Sequence, residues 1–236
     1  MMSAPLFRWE SDLSKSFQEN ACPTLWTRHG KGTWVRAQES TCSEGRADIV
    51  WARFEQGWRP STFRRHAQLL QNSTASRLLA ALRQGPAQSE EDLLPRIGVT
   101  QPVLRKWLRA LTEANFVTTT RDGRFRTIPH QVFPSVEICS FELKLKNWQR
   151  ALYQATRYRS FSHRVFVVMP TRSAQVAYQH QELFHRANIG LVAHEVSGDS
   201  RVLVRPKKRA PHSSYRTIMA LGMFSKSAPL KSKQFC

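Results

Sequence analysis

Apolar residues along this chain recur with two different periods, and the changes of period divide it into segments. Residues 9–20 carry Leu13 and Phe17 at i, i+4 spacing, which predicts a short helix. Residues 32–39 and 46–54 read as two strands, and Cys42-Ser43-Glu44-Gly45 between them supplies turn chemistry, so an antiparallel hairpin is expected. From residue 73 to 129 the order becomes helix, helix, helix, hairpin. Ser73 is expected to cap the first of these helices, and Gly85-Pro86 to stop it. Ser89-Glu90-Glu91-Asp92 opens the second, which Gly98 ends. Thr100 opens the third, with Pro102 tolerated in its first turn. That third helix aligns Leu104, Trp107, Leu108 and Leu111 in one stripe and leaves Arg105, Lys106 and Arg109 off it. Residues 116–120 and 124–128 flank Asp122-Gly123, a strong hairpin signal.

After Pro134 strands and helices alternate: strand 136–146, helix 147–159, strand 164–169, helix 174–187, strand 189–194. Such alternation implies parallel strands with helices against the sheet. The remainder carries Lys207-Lys208-Arg209, has no acidic residue beyond Asp199, and ends in a Ser/Lys-rich stretch, so 206–236 reads as a basic, flexible tail.

Composition adds a sign to this pattern. The 236 residues include 36 Lys+Arg against 17 Asp+Glu, a net charge of +19 that marks a polyanion binder. The excess is spread along the chain, as in a nucleic-acid enzyme, instead of being confined to one tail. Apolar runs such as 165–169 fall far short of the roughly 20 residues of a membrane span, and no signal-peptide pattern opens the chain. Cys22, Cys42, Cys139 and Cys236 form no CxxC pair, which suits a reduced, cytoplasmic protein. His163, His185 and His194 lack metal-ligand spacing.

The chemistry-bearing stretch is Phe141-Glu142-Leu143-Lys144. On a strand Glu142 and Lys144 share one face, about 7 Å apart, while Phe141, Leu143 and Leu145 share the other. A carboxylate and an ammonium so placed can hold a divalent metal and steer a phosphodiester. On the next helix Gln154 and Tyr158, at i, i+4, share a stripe. Each feature alone equally describes an ordinary solvated strand face or polar helix positions. Hydrolysis of a phosphodiester needs an activated water and neutralised oxygens, and Mg²⁺ on carboxylates supplies both.

Two resemblances organise these residues. Residues 73–129 resemble a winged helix-turn-helix, in which the third helix is the recognition helix and the hairpin the wing. This implies DNA contacts from Arg105, Lys106, Arg109, Arg121, Arg124 and Arg126. With that segment removed, the order helix, strand, strand, strand, helix, strand, with Asp48 on the second strand, is similar to the PD-(D/E)XK nuclease superfamily. Gln154-Ala155-Thr156-Arg157-Tyr158 matches the Gln-x-x-x-Tyr of its RecB-like branch. The resemblance implies an α/β fold: a restriction-endonuclease-like mixed β-sheet core flanked by helices, with an inserted winged helix-turn-helix domain. It divides the chain into core (1–62), insertion (63–130), core (131–205) and tail (206–236).

By the same resemblance Asp48 and Glu142 hold Mg²⁺, with Mn²⁺ able to substitute and the Leu143 carbonyl as a further ligand. Lys144 assists the attacking water, and Gln154 and Tyr158 orient the site and contact the DNA backbone. A carboxylate of the first helix, Glu10 in preference to Glu19, joins them. Ala47 stands where the family often has Pro, and the long separation of Asp48 from Glu142 follows from the insertion. The implied activity is metal-dependent endonucleolytic cleavage of DNA, suited to restriction, phage defence or mobile-element processing. A homodimer or a larger DNA-processing complex would be its setting. The alternative is a non-catalytic DNA-binding protein or transcriptional regulator on the same scaffold.

Overall fold

The structure is a computed structural model that describes residues 7–26, 32–42, 45–55, 64–83, 85–128, 135–225 and 227. The expected turn residues Ser43 and Glu44 and most of the Ser/Lys-rich end lie outside them. The chain divides into two compact units: Met1–Gly57 with Val136–His212 and Ser227–Cys236, and Trp58–Ser135 with Ser213–Lys226.

The first unit is mixed α/β. Helix α1 (Glu10–Asn20) precedes strands β1 (Thr33–Cys42) and β2 (Gly45–Phe54). The numbering then passes through the second unit and returns with β5 (Val136–Leu143), α6 (Trp148–Arg157), β6 (Arg164–Pro170), α7 (Thr171–Tyr178), α8 (Gln181–Ala187), β7 (Gly190–His194) and β8 (Ser200–Val204). Six strands form one sheet in the order β1-β2-β5-β6-β7-β8. The β5–β6 and β6–β7 pairs are parallel, and the other pairs are antiparallel.

Strand β5 is central and buried on both faces, which is why it reads as a nearly continuous apolar run. One face sends Cys139, Phe141 and Leu143 into a core with Phe17, Trp26, Trp51 and Phe166. There the Phe141 ring lies 5.2 Å from those of Phe17 and Trp26. Such aromatic contacts carry much of the apolar burial that holds α1 on the sheet. At Gly190 an added Cβ would lie 2.3 Å from the Phe166 ring, so that strand start accepts no side chain.

Three expectations for this unit change. The strand starting at Val136 ends at Leu143, with one last bond from the Lys144 N–H to the Val168 carbonyl at 3.1 Å, and Asn147, at φ 40°, turns the chain into α6. The helix expected at 174–187 is two helices, broken where the His180 N–H bonds the Ala177 carbonyl in a tightened turn. Strand β8 was not foreseen. It closes the sheet edge through a turn in which Gly198 takes φ 100°.

The second unit contains α2 (Ala67–Gln71), α3 (Ser73–Leu82), α4 (Glu90–Ile97), α5 (Gln101–Glu113), the hairpin strands β3 (Val117–Thr119) and β4 (Phe125–Thr127), and α9 (Ser214–Phe224). The cap of α3 is Asn72, one residue before the expected Ser73. Asn72 is extended, and its side chain accepts from the Ala75 N–H at 3.1 Å. Ser89 and Asp92 form a capping box on α4, and Gly98 ends that helix at φ 67°. Leu104, Leu108 and Leu111 are buried, while Trp107 is only partly covered.

Helix α9 corrects the reading of 206–236 as a flexible tail. Ile218, Leu221 and Phe224 are buried, and the helix packs on α2 and α3. Residues 205–212 are also fixed, by hydrogen bonds to the sheet unit. Among the described residues, no helix is long and apolar enough to cross a membrane.

Candidate functional site

The site forms where the antiparallel β2–β5 ladder stops, at the end of β5 and near the start of β2. Their ladder pairs Ile49 with Phe141 and Val50 with Ser140, and one further step sets Asp48 across from Glu142. Directly opposed residues of an antiparallel pair point to the same face with Cβ atoms about 4.5–5.5 Å apart. Asp48 Oδ2 accepts the Leu143 N–H at 2.8 Å, which fixes its carboxylate at the end of the ladder. Leu143 thus meets Asp48 through its N–H, a contact separate from the metal-ligand role expected of its carbonyl.

Glu142 is 1% exposed. The Tyr158 hydroxyl, just past the end of α6, donates to its Oε2 at 2.5 Å. Lys144 Nζ lies 3.5 Å from Glu142 Oε1 and 3.0 Å from Glu10 Oε2, so the ammonium bridges the strand to the first turn of α1. The structure thus brings Glu10, Asp48, Glu142, Lys144 and Tyr158 together. Gln154 sits one turn before Tyr158, and its Oε1 is buried without a hydrogen-bond partner, so it is not bonded into this group.

Electrostatics mark Glu142 as the unusual member. Burial, and then the negative charge of Asp48, push its carboxyl up to about 7, against the opposing pull of the Tyr158 hydroxyl and Lys144. Burial alone would lower the Lys144 ammonium. The bond to Glu10 and the charges of Glu142, Glu10 and Asp48 outweigh it, so Lys144 is raised and firmly protonated. A buried carboxyl displaced by burial and a neighbouring charge marks a candidate functional site.

Two cavities flank Glu10. One, of about 550 Å³, is lined by Ser14, Lys15, Gln18 and Arg36 as well as Asp48 and Leu143. The other, of about 1180 Å³, is lined by Lys144, Lys146, Arg150 and Arg172 together with Trp9 and Trp148. The sequence reading missed Lys15 and Arg36. The signal for Lys15 was available, since Ser11, Lys15 and Gln18 make a polar stripe on α1 away from Leu13 and Phe17. Arg36 became visible only when β1 was paired with β2.

Among the described residues no three His, Cys, Asp or Glu side chains converge as a ready-made metal cluster. The donor set is smaller: the Asp48 and Glu142 carboxylates, with the Lys144 ammonium on the far side of Glu142. Two opposed carboxylates, one of them pushed up to about 7 by burial and then by the other's charge, share a single neighbouring lysine. Mg²⁺ is commonly bound by one or two carboxylates plus waters and phosphate oxygens, so this pair fits a hard divalent cation.

On the second unit Arg105, Lys106 and Arg109 are exposed on one face of α5, where they line a shallow hollow with Gln101 and Pro102. Arg105 pairs with Glu90 at 2.8 Å. Arg121, Arg124 and Arg126 are exposed on the β3–β4 hairpin, and Arg124 pairs with Asp122 at 3.3 Å. These surface pairs contribute little to stability and leave the cations available to a polyanion.

No family model matches this chain, and neither the curated proteins nor the solved structures yield a match to it.

Proposed function

We propose that the protein is a metal-dependent DNA endonuclease, with a restriction-endonuclease-like core in the sheet unit and a winged helix-turn-helix module in the helical unit. One observation carries the reading: Asp48 and Glu142, far apart in sequence, face each other at a strand end with Lys144 and Tyr158 bonded to Glu142.

In this reading Asp48 and Glu142 would hold Mg²⁺ or Mn²⁺. A bound ion would neutralise phosphoryl oxygens and lower the pKa of a water. Tyr158 fixes the orientation of Glu142. Lys144 brings a positive charge next to the carboxylates, where a phosphate or an attacking oxygen can use it. Lys15 and Arg36 draw the substrate backbone into the adjoining cavity. Three helices followed by a two-stranded hairpin, with exposed cations on α5 and on the hairpin, support a module that meets phosphates and a groove of duplex DNA.

The test is cleavage of plasmid and linear DNA by the full chain with Mg²⁺ or Mn²⁺, paired with a gel shift on the same DNA. Asp48→Ala and Lys144→Ala are each expected to slow cleavage by at least roughly a hundredfold, the scale of losing a key electrostatic group, with binding retained. Wild-type cleavage by both variants would overturn the assignment. Binding with no cutting over several substrates would favour a DNA-binding protein or regulator on the same scaffold.

A further inference from the structure

At the other end of the sheet, near the start of β6, a second group of charges has no role in the site above. Arg159 is 6% exposed, yet no carboxylate lies against it among the described residues. Its Nη1 reaches the Ala187 carbonyl and its Nη2 reaches His212 Nε2, both at a long 3.4 Å, and its Nε has no partner. The neighbouring Ser160 hydroxyl is likewise buried and unpartnered. The charge felt most closely by this guanidinium is another cation, Arg209, and burial together with Arg209 lowers its pKa.

The chain holds Arg209 there on purpose-built backbone anchors. The Arg209 N–H bonds the His163 carbonyl at 3.1 Å, and the His212 N–H bonds the Arg159 carbonyl at 3.0 Å. Two bonds between Asn188 and the Lys207 backbone, at 2.8 and 2.9 Å, fix the preceding turn of the strap. Lys207 and Arg209 stay exposed.

A buried guanidinium with an unmet donor and a like charge nearby is unfavourable in a folded protein. An anion with several acceptor oxygens would neutralise both cations at once and offer the guanidinium better acceptors than its two long contacts. A tetrahedral phosphate suits this better than a carboxylate, because its oxygens can serve two guanidiniums and the Lys207 ammonium together. We infer that Arg159 and Arg209, with Lys207 at the rim, form a phosphate-binding site separate from the carboxylate centre. The phosphate comes either from a nucleic-acid backbone or from free phosphate. Because β5 and β6 run parallel, the start of β6 pairs with Cys139, three residues before Glu142, so Arg159 approaches the sheet from the end away from the carboxylates.

The test uses full-length Asp48→Ala protein without divalent metal, so its result does not depend on the nuclease reading. Potassium phosphate, compared with chloride at matched ionic strength, is expected to raise Tm by about 3 °C near saturation. Arg209→Ser, a change at an exposed position, and Arg159→Gln are expected to remove that rise. An equal rise in Arg209→Ser, no rise in the parent, or a response to poly-glutamate without one to phosphate would overturn the site. Fluorescence anisotropy with a labelled oligonucleotide then separates the sources. If the backbone is the ligand, Arg209→Ser lowers the slope of log affinity against log salt by about one. If the slope is unchanged while the phosphate response is lost, the site takes free phosphate.

Discussion

Glu137 and Glu142 sit on the same strand, and both are almost wholly buried, yet they are driven in opposite directions. Glu137 meets Arg164 at 2.8 Å, Arg53 at 3.0 Å and Lys208 at 3.4 Å. Burial pushes its carboxyl up, but these cations outweigh burial and hold it below the usual carboxylate range. Glu142 meets one ammonium at 3.5 Å, one tyrosine hydroxyl and the carboxylate of Asp48, and it is pushed up to about 7. Burial is common to both, so the sign of the neighbours decides. Glu137 is closed inside a cationic cage, whereas Glu142 keeps uncancelled negative charge at a strand end where Asp48 opens on a cavity. The first arrangement holds strands together, and the second is available for chemistry.

The sharpest way to break this contrast is Glu137→Gln, which leaves Arg53, Arg164 and Lys208 facing one another. Loss of one partner from a buried ion network costs about 3–5 kcal/mol, so urea unfolding should shift by that amount. An unchanged midpoint would deny Glu137 its structural role. Glu142→Gln should do the reverse. The folded pKa of Glu142 lies above its unfolded value, so its protonated form favours the fold. In metal-free wild type that stability is present below pH 4.5 and is lost as pH rises through about 7. At pH 8 the variant should be more stable than wild type by up to about 3 kcal/mol, with the gain fading towards pH 5 and cleavage abolished. A variant less stable than wild type at pH 8 would show that Glu142 is already compensated. The smallest effect belongs to Asp48→Asn. Removing the second cause should lower the Glu142 pKa by roughly one unit, read by NMR titration of its side-chain carboxyl. An unmoved titration would leave burial as the sole cause.

Much of the architecture was legible before the structure. The β1–β2 hairpin, the β5-α6-β6 succession and the three helices with their hairpin fall within a few residues of where periodicity placed them. Their errors are local: Asn72 displaced Ser73 as a cap because only one of the two is extended, and the helix after β6 broke at His180 without a Pro or Gly to announce it. Helix α9 was hidden because its apolar run, residues 218–224, is short, contains Gly222 and is followed by a Ser/Lys-rich stretch whose composition outweighed it. Within the site, Glu142, Lys144 and Tyr158 were readable because strand and helix periods fix their faces. Arg36 and the Leu143 N–H were not, since a cation on another strand and a backbone donor have no local pattern.

The sequence by itself determined the periods, the net charge of +19 and the local spacing of Glu142, Lys144 and Tyr158, because these depend on residues a few positions apart. The tertiary structure alone decided that Asp48 stands across from Glu142, that Lys144 reaches Glu10, and that the strap carrying Arg209 runs past the buried Arg159. Those pairings depend on strand register and chain crossing, and the energy of a buried charge is set by whichever distant charges the fold brings beside it.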